Sequence, residues 1–263
     1  MDQALLSQKL GEMARKYSIA SQTQVGFEPG AITVRWDGGH CRFTYDFAQE
    51  PKQDGLENVP LLHWRQKRRY RELCNILSQE LVKTPLAMRI HHIVPKDGFT
   101  RSLTDVLFME ADLAQWICGQ EIDRVFASMD GSYLNGIFST TGGIKVSAEL
   151  GIVADGCEPV LLHEVIGKTG ILSDVAVDTQ TRQYPIYVFK GPETQVYDDI
   201  DDELYGLSQT ECDAVRFILW ALGGPERREQ ARQSAGRNQA VVAAVRKAAQ
   251  SVAYTPVQGG PLA

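Results

Sequence analysis

Residues Ile122–Val153 read IDRVFASMDGSYLNGIFSTTGGIKVSAELGIV. Three β-prone runs, 122–129, 133–139 and 144–150, are separated by Asp130-Gly131 and Gly142-Gly143, pairs that supply the backbone freedom a tight reversal needs. Strands joined by turns this short pair antiparallel. More runs of the same kind follow at 160–166, 171–177 and 184–189, broken by Asp155-Gly156 and by the stretch from Gly167 to Gly170. Residues 122–197 therefore predict one large, open and mostly antiparallel sheet.

Working towards the N-terminus, Leu103 to Ile117 reads as a helix that stops at Gly119, a residue suited to a left-handed cap. Before it lie a strand over Leu86 to Ile93 and a helix marked by Tyr70, Leu73, Leu77 and Leu81, which must end before Pro85. Gln49 to Asn58 is polar and reads as a loop. Ile32, Val34 and Trp36 alternate, as do Cys41, Phe43, Tyr45 and Phe47, with Asp37-Gly38-Gly39 between them as a hairpin turn. Leu6, Leu10, Met13 and Tyr17 have helical spacing, and a short strand near Thr23 to Phe27 completes an opening α-β unit.

Towards the C-terminus, Ser208 and Glu211 form a capping box for a helix carrying Val215, Ile218 and Leu222. Gly223 to Gly236 reads as the connection to a last helix whose apolar face is Val241, Val245, Ala248 and Val252. The fold class is α+β, with helices on one face of the sheet. The expected division is residues 1–60 for the α-β unit, hairpin and loop, 61–257 for the sheet domain, and 258–263 for a tail. Tyr184 to Phe189 is apolar on both alternations, so the open face is expected to meet another subunit, identical or different.

The chain has 263 residues, 43% of them hydrophobic, and a net charge of −6. That balance disfavours a general nucleic-acid binder, even though Arg65-Gln66-Lys67-Arg68-Arg69 with Arg71 is locally basic. No run is long and apolar enough for a membrane span, and the opening Met1-Asp2-Gln3 has no signal-peptide pattern, so a cytoplasmic location is expected. Cys41, Cys74, Cys118, Cys157 and Cys212 are scattered without a C-x-x-C pair and read as reduced thiols. Neither the acidic run Asp198 to Glu203 nor Gly167-Lys168-Thr169-Gly170 completes a calcium loop or a P-loop. His91, His92 and His163 lack metal-ligand spacing, and His92 shares a strand face with Met88 and Ile90 as a core histidine would.

Several pieces, in order and spacing, resemble the C-terminal domain of the Gfo/Idh/MocA oxidoreductases, the glucose-fructose oxidoreductase and inositol dehydrogenase family. They are Leu103-Thr104-Asp105, Asp112-Leu113-Ala114, Trp116, Gly119 and Ile122-Asp123-Arg124-Val125, then Asn135-Gly136, Gly142-Gly143 and His163 to Gly170. Tyr205-Gly206-Leu207, Gly236-Arg237-Asn238 and Pro256-Val257 close the series. Upstream, Arg65 falls at the arginine of the family's R-x-x-P segment, with Arg68 where proline would stand. The first 27 residues resemble the end of the family's nucleotide-binding domain.

The resemblance implies an aspartate and a histidine four residues apart that face nicotinamide and substrate, the histidine moving a proton. Asp105 occupies the first position and Met109 the second, and a thioether carries no proton at neutral pH. The chain also shows no G-x-G-x-x-G after a strand and no E-K-P lysine. No cofactor is therefore expected on this chain alone, and NAD(P) enters only through a partner. Candidate pocket residues are Arg65, His91, Arg101, Glu110, Asp112 and His163, with a sugar or polyol as the small ligand.

Three readings follow. The favoured one is a non-catalytic or substrate-side subunit that pairs through its sheet with a full-length family dehydrogenase. The second is a cofactor-independent enzyme performing elimination, isomerisation or hydrolysis on an oxidised sugar, and the third a sugar-sensing module.

Overall fold

The computed structural model describes residues 1–47, 54–97, 99–154, 156–174, 186–190, 193–197, 202–251 and 253–258, with backbone alone at 186–190, 193–197 and 202. Helix α1 (Gln3–Lys16) starts at Asp2, whose side chain accepts from the Leu5 backbone N–H at 3.0 Å. Strands β1 (Thr23–Glu28), β2 (Ala31–Trp36) and β3 (Gly39–Thr44) form an antiparallel meander. Trp36 pairs with Gly39, so the turn expected over Asp37-Gly38-Gly39 closes in two residues, Asp37 and Gly38, with Gly39 starting β3. The opening α-β unit and the hairpin are thus one small sheet. Strand β4 (Glu57–Pro60) joins it parallel to β3, its first two residues falling at the end of the stretch expected to be loop. Glu57 and Asn58 gave no strand signal because both are polar, and in β4 only Val59 is buried.

A 3-10 turn at His63–Gln66 leads into α2 (Arg68–Ser78), and β5 (Pro85–Pro95) and α3 (Leu103–Cys118) follow. The large sheet is built from β5, β6 (Ile122–Asp130), β7 (Tyr133–Thr140), β8 (Lys145–Val153), β9 (Val160–Gly167), β10 (Gly170–Ser173) and β13 (Thr255–Pro256), in the order β10-β9-β5-β8-β7-β6-β13. Every neighbouring pair is antiparallel except β5 with β8, which run parallel. Strands β11 (Ile186–Lys190) and β12 (Glu193–Tyr197) pair separately, and the side chains behind the expected apolar run 184–189 lie outside the described residues.

Helices α4 (Gln209–Leu222) and α5 (Pro225–Ser251) complete the fold. The Ser208–Glu211 capping box is present. The expected connection over 223–236 is not a loop: α5 begins at Pro225, and proline at a first helical position needs no N–H partner and has its φ already set. Only Ala231, Ser234 and Ala235 are buried in its first half, so no large apolar stripe announced that half in the sequence. Val252 lies outside the described residues.

Helix α3 positions the site. It is buried on nearly all sides, with Val106, Phe108, Ala111, Leu113 and Ala114 at 0% exposure. It contacts strands β5, β7 and β8 as well as α2 and α5. Phe108 stacks on Phe47 at 3.9 Å between ring centres. Such a helix cannot leave a carboxylate to water, yet it carries Asp105, Glu110 and Asp112, all buried. Each must find its partners inside the protein.

Candidate functional site

The three carboxylates of α3 are answered in three different ways. Asp105 sits in the first turn, where its Oδ2 accepts from the backbone N–H of Arg101 (3.0 Å) and Ser102 (2.9 Å) and from Ser102 Oγ (2.9 Å). With Ser102 capping in return, this is a capping box. Burial raises the Asp105 pKa against those hydrogen bonds, and its Oδ1 has no partner among the described residues. The Arg101 guanidinium lies over the Tyr45 ring at 5.3 Å. One turn on, Met109 is 7% exposed and belongs to the apolar core.

Asp112 is fully engaged. Arg65 donates to it in bidentate fashion, Nε to Oδ2 at 2.8 Å and Nη2 to Oδ1 at 2.6 Å. Trp64 Nε1 adds a bond at 2.7 Å and Asn238 Nδ2 one at 2.8 Å. Gln115 holds Asn238 in turn at 2.8 Å. A buried pair with every lone pair answered is the form in which burial of charge is tolerated. Arg65 and Asp112 border a cavity of about 270 Å³. A cavity of the same size lies between the small sheet and α5, beside Arg42, Phe47 and Arg232. Neither cavity includes Asp105, Met109 or Glu110.

Glu110 is the centre of the third arrangement. The β5–β9 register sets Ile90 opposite His163, which brings His92 and His163 under α3. Glu110 Oε1 meets His92 Nδ1, and Oε2 meets His163 Nε2 at 2.9 Å. The other His163 nitrogen, Nδ1, faces Asp174 Oδ2 at 2.9 Å, and the His163 backbone N–H donates to Asp174 Oδ1 at 2.7 Å. A ring with a carboxylate at each nitrogen satisfies both only as the imidazolium. Burial opposes that charge, but Glu110 and Asp174 outweigh it and hold His163 up at about 9. Burial would likewise push Glu110 up, and the two histidines bring it down to about 2.

Around this buried triad lie groups whose hydrogen-bonding capacity is unused. The Tyr70 ring packs edge-on to His163 at 4.9 Å, and its hydroxyl has no partner among the described residues. Lys67 Nζ stands over the Tyr70 ring at 5.9 Å. Burial lowers the Lys67 pKa, Asp213 opposes this, and Arg69 adds to it. Asp213, on α4 and at 0% exposure, has no partner for Oδ2 among the described residues, and burial raises it to about 6 against Lys67 and Arg216. His63, also buried, is pulled down to about 3 by burial and by Lys67.

The expected pocket residues therefore do not form one pocket. Arg65 joins Asp112, Arg101 joins Asp105, and Glu110 joins His163. His91 lies on the opposite sheet face, 3.8 Å from Glu149. Asp105, Met109 and Asp112, at i, i+4 and i+7 on α3, do not form a common cavity wall, because capping, packing and ion pairing take one residue each. Lys67 had been visible only as part of a basic cluster, and Tyr70 and His92 only as core. Nothing local marked Asp174 or Asp213. No group of three or more metal-ligating side chains occurs among the described residues, nor is any described helix long and apolar enough to cross a membrane.

No family model matches the sequence, and no curated protein matches it. The fold, in contrast, is similar to that of solved inositol dehydrogenases. The myo-inositol 2-dehydrogenase from Lactobacillus plantarum superposes with a TM-score of 0.56 at 12% identity, over 77% of this chain and 65% of that one. A myo-inositol dehydrogenase from Corynebacterium glutamicum gives 0.53 at 12%, over 77% and 65%. The scyllo-inositol dehydrogenase from Lactobacillus casei, solved with NAD(H) and scyllo-inositol, gives 0.52 at 14%, over 78% and 66%. This chain is α+β with the large sheet of those proteins, and it spans about two thirds of their length. The match fits the C-terminal, sheet-bearing part of that architecture.

Proposed function

We propose that this chain is the substrate-side unit of a sugar or polyol oxidoreductase and performs no hydride chemistry by itself. The observation that carries the reading concerns the two positions assigned by resemblance to the acid–base pair. Asp105 is spent on a helix cap and Met109 on core packing. Met109 has no proton to exchange, and the cap engages one oxygen of Asp105. Nicotinamide, where it is used, belongs to a partner of the full-length dehydrogenase kind.

The open sheet face supports pairing. It exposes Tyr133, Ile137, Val160 and Ile171, each 39% or more. Among them stand the ion pairs Arg89–Glu164 and His91–Glu149. An apolar face set with charges of both signs suits another sheet with the same mixture.

The test has two arms. Calorimetry with myo-inositol and related polyols, and with their keto forms, is expected to show binding, while the chain with NAD(P) produces no reduced nicotinamide. Light scattering is expected to give a mass above the monomer for the chain alone or with its co-purified dehydrogenase. Turnover of NAD(P) by the isolated chain, or a monomer indifferent to every polyol, overturns the reading.

A further inference from the structure

We propose that the cavity between the small sheet and α5 binds an uncharged polyol and excludes phosphorylated or carboxylated sugars. The ligand class rests on the polyol reading above, and the place and the charge preference go beyond it.

The cavity holds about 270 Å³. That lies just under the range of about 300–1,000 Å³ usual for drug-sized ligands, so it suits one small ring. Pro29, Phe47 and Ala235 supply apolar wall, and Phe47 is held in place by its stack on Phe108. Glu28, Thr44, Asp46, Asn58 and Gln239 supply polar groups. An apolar surface set with a few donors and acceptors is the usual lining of a small-ligand site.

Two features point to the occupant. The first is Gly236, which lines the cavity from inside the 27-residue helix α5. Glycine is among the least favourable residues in a helix interior. At Gly11 in α1 close packing accounts for it, since a Cβ there would stand 3.0 Å from Thr23 Oγ1. At Gly236 a Cβ would meet nothing within 4 Å. No neighbour demands that glycine, and its effect is to keep the cavity open.

The second feature is how the two arginines of the wall are used. Arg232 gives Nε and Nη2 to Glu229, at 3.0 and 2.7 Å, and Nη1 to Glu57. Arg42, 4% exposed, gives Nη1 to Asp54 at 2.9 Å and shares Nη2 between Asp54 and Glu28, while its Nε is buried. An anionic ligand would thus meet Glu28 and Asp46 with no uncommitted guanidinium among the described lining residues, and its desolvation would go unanswered. A polyol hydroxyl both donates and accepts, so it can give to the carboxylates and exchange bonds with Thr44 and Gln239. Arg42 and Arg232 are positioning residues: they hold the acidic wall in shape without binding the ligand.

The experiment is calorimetry of the full chain with myo-inositol and with myo-inositol 1-phosphate, on the wild type and on two variants. Gly236→Leu fills the cavity with a strong helix former and should weaken myo-inositol binding at least about ten-fold while keeping or raising the thermal midpoint. Gln230→Leu, on the wall of the other 270 Å³ cavity, should leave binding unchanged. The phosphate ester should bind the wild type at least about ten-fold more weakly than the free polyol. In the wild type, saturating myo-inositol should slow amide exchange around residues 41–44 and 235–239, a readout that does not depend on how Gly236→Leu folds. Full-strength binding to a folded Gly236→Leu, or protection centred on Arg65 and Gln230 instead, overturns this site and leaves the polyol reading standing. Equal affinity for the phosphate ester overturns the charge preference, and a wild type that binds no polyol overturns both the site and the reading on which it rests.

Discussion

Asp112 and Glu110 are two residues apart on one buried helix and show two ways of keeping a charge inside a protein. Asp112 faces an arginine that can only be positive, and an indole and an amide complete the set, so no lone pair there has a bond to spare. Glu110 faces two histidines, whose charge is conditional, and the ring behind one of them packs on a tyrosine with an idle hydroxyl. The first arrangement is closed and structural. The second is sensitive to pH and borders the groups that remain open. Burial alone does not distinguish a scaffold carboxylate from one near a site; the partners do.

The contrast can be broken at either end. The largest effect is expected from Arg65→Ala, which leaves Asp112 buried and short of two bonds. Such a loss costs about 3–5 kcal/mol, read as a drop in the denaturant midpoint. A loss under about 1 kcal/mol would show that Asp112 reaches water or another cation.

Next in size is the pH dependence of the Glu110 array. Glu110 has its folded pKa depressed to about 2, so its contribution is present above its unfolded value and lost as pH falls through about 2. His163 is raised to about 9, so its contribution is complete below its unfolded value of 6.5 and lost as pH rises through about 9. The two describe one interaction from both partners. Stability should therefore be highest between about pH 4.5 and 6.5 and decline towards pH 9. Glu110→Gln should lower the whole profile by about 2–4 kcal/mol and flatten its alkaline limb, measured by urea unfolding from pH 5 to pH 9.5. An alkaline limb of undiminished slope in that variant would place the titration elsewhere.

The smallest effect is Tyr70→Phe. Its hydroxyl has no partner among the described residues, so removal should change stability by less than about 0.5 kcal/mol or raise it slightly. A cost above about 1.5 kcal/mol would mean that the hydroxyl is already bonded.

Much of the fold was legible because local chemistry and fold agree. Asp37-Gly38, Gly119 with φ 64°, and Ser208 with Glu211 each carry their own structural instruction. Ser102 and Asp105 carried one as well, a capping box that the resemblance to an acid–base position overshadowed. The first half of α5 was not legible, since small and charged residues pack there without an apolar stripe. The site was legible only in pieces. Glu110 and His163 stood out as ionisable residues, but their meeting depends on β9 pairing with a strand some seventy residues earlier, which no local pattern encodes.

Strand β5 enters between β8 and β9, so residues 85–95 must wait for chain made much later. Ala87 cannot settle until both Lys145 and Ile166 have arrived. Closing contacts so far apart is slow, and the small meander near the N-terminus can form well before. During synthesis β5 is thus an unpaired edge for longer than any strand of that meander. His92, placed on it, lacks its buried carboxylate until the sheet closes, so the charged core under α3 is a late signature of the native state. Amide protection at Ile90 and His92 would report completion of the whole sheet, where protection at Val34 reports only the first hairpin.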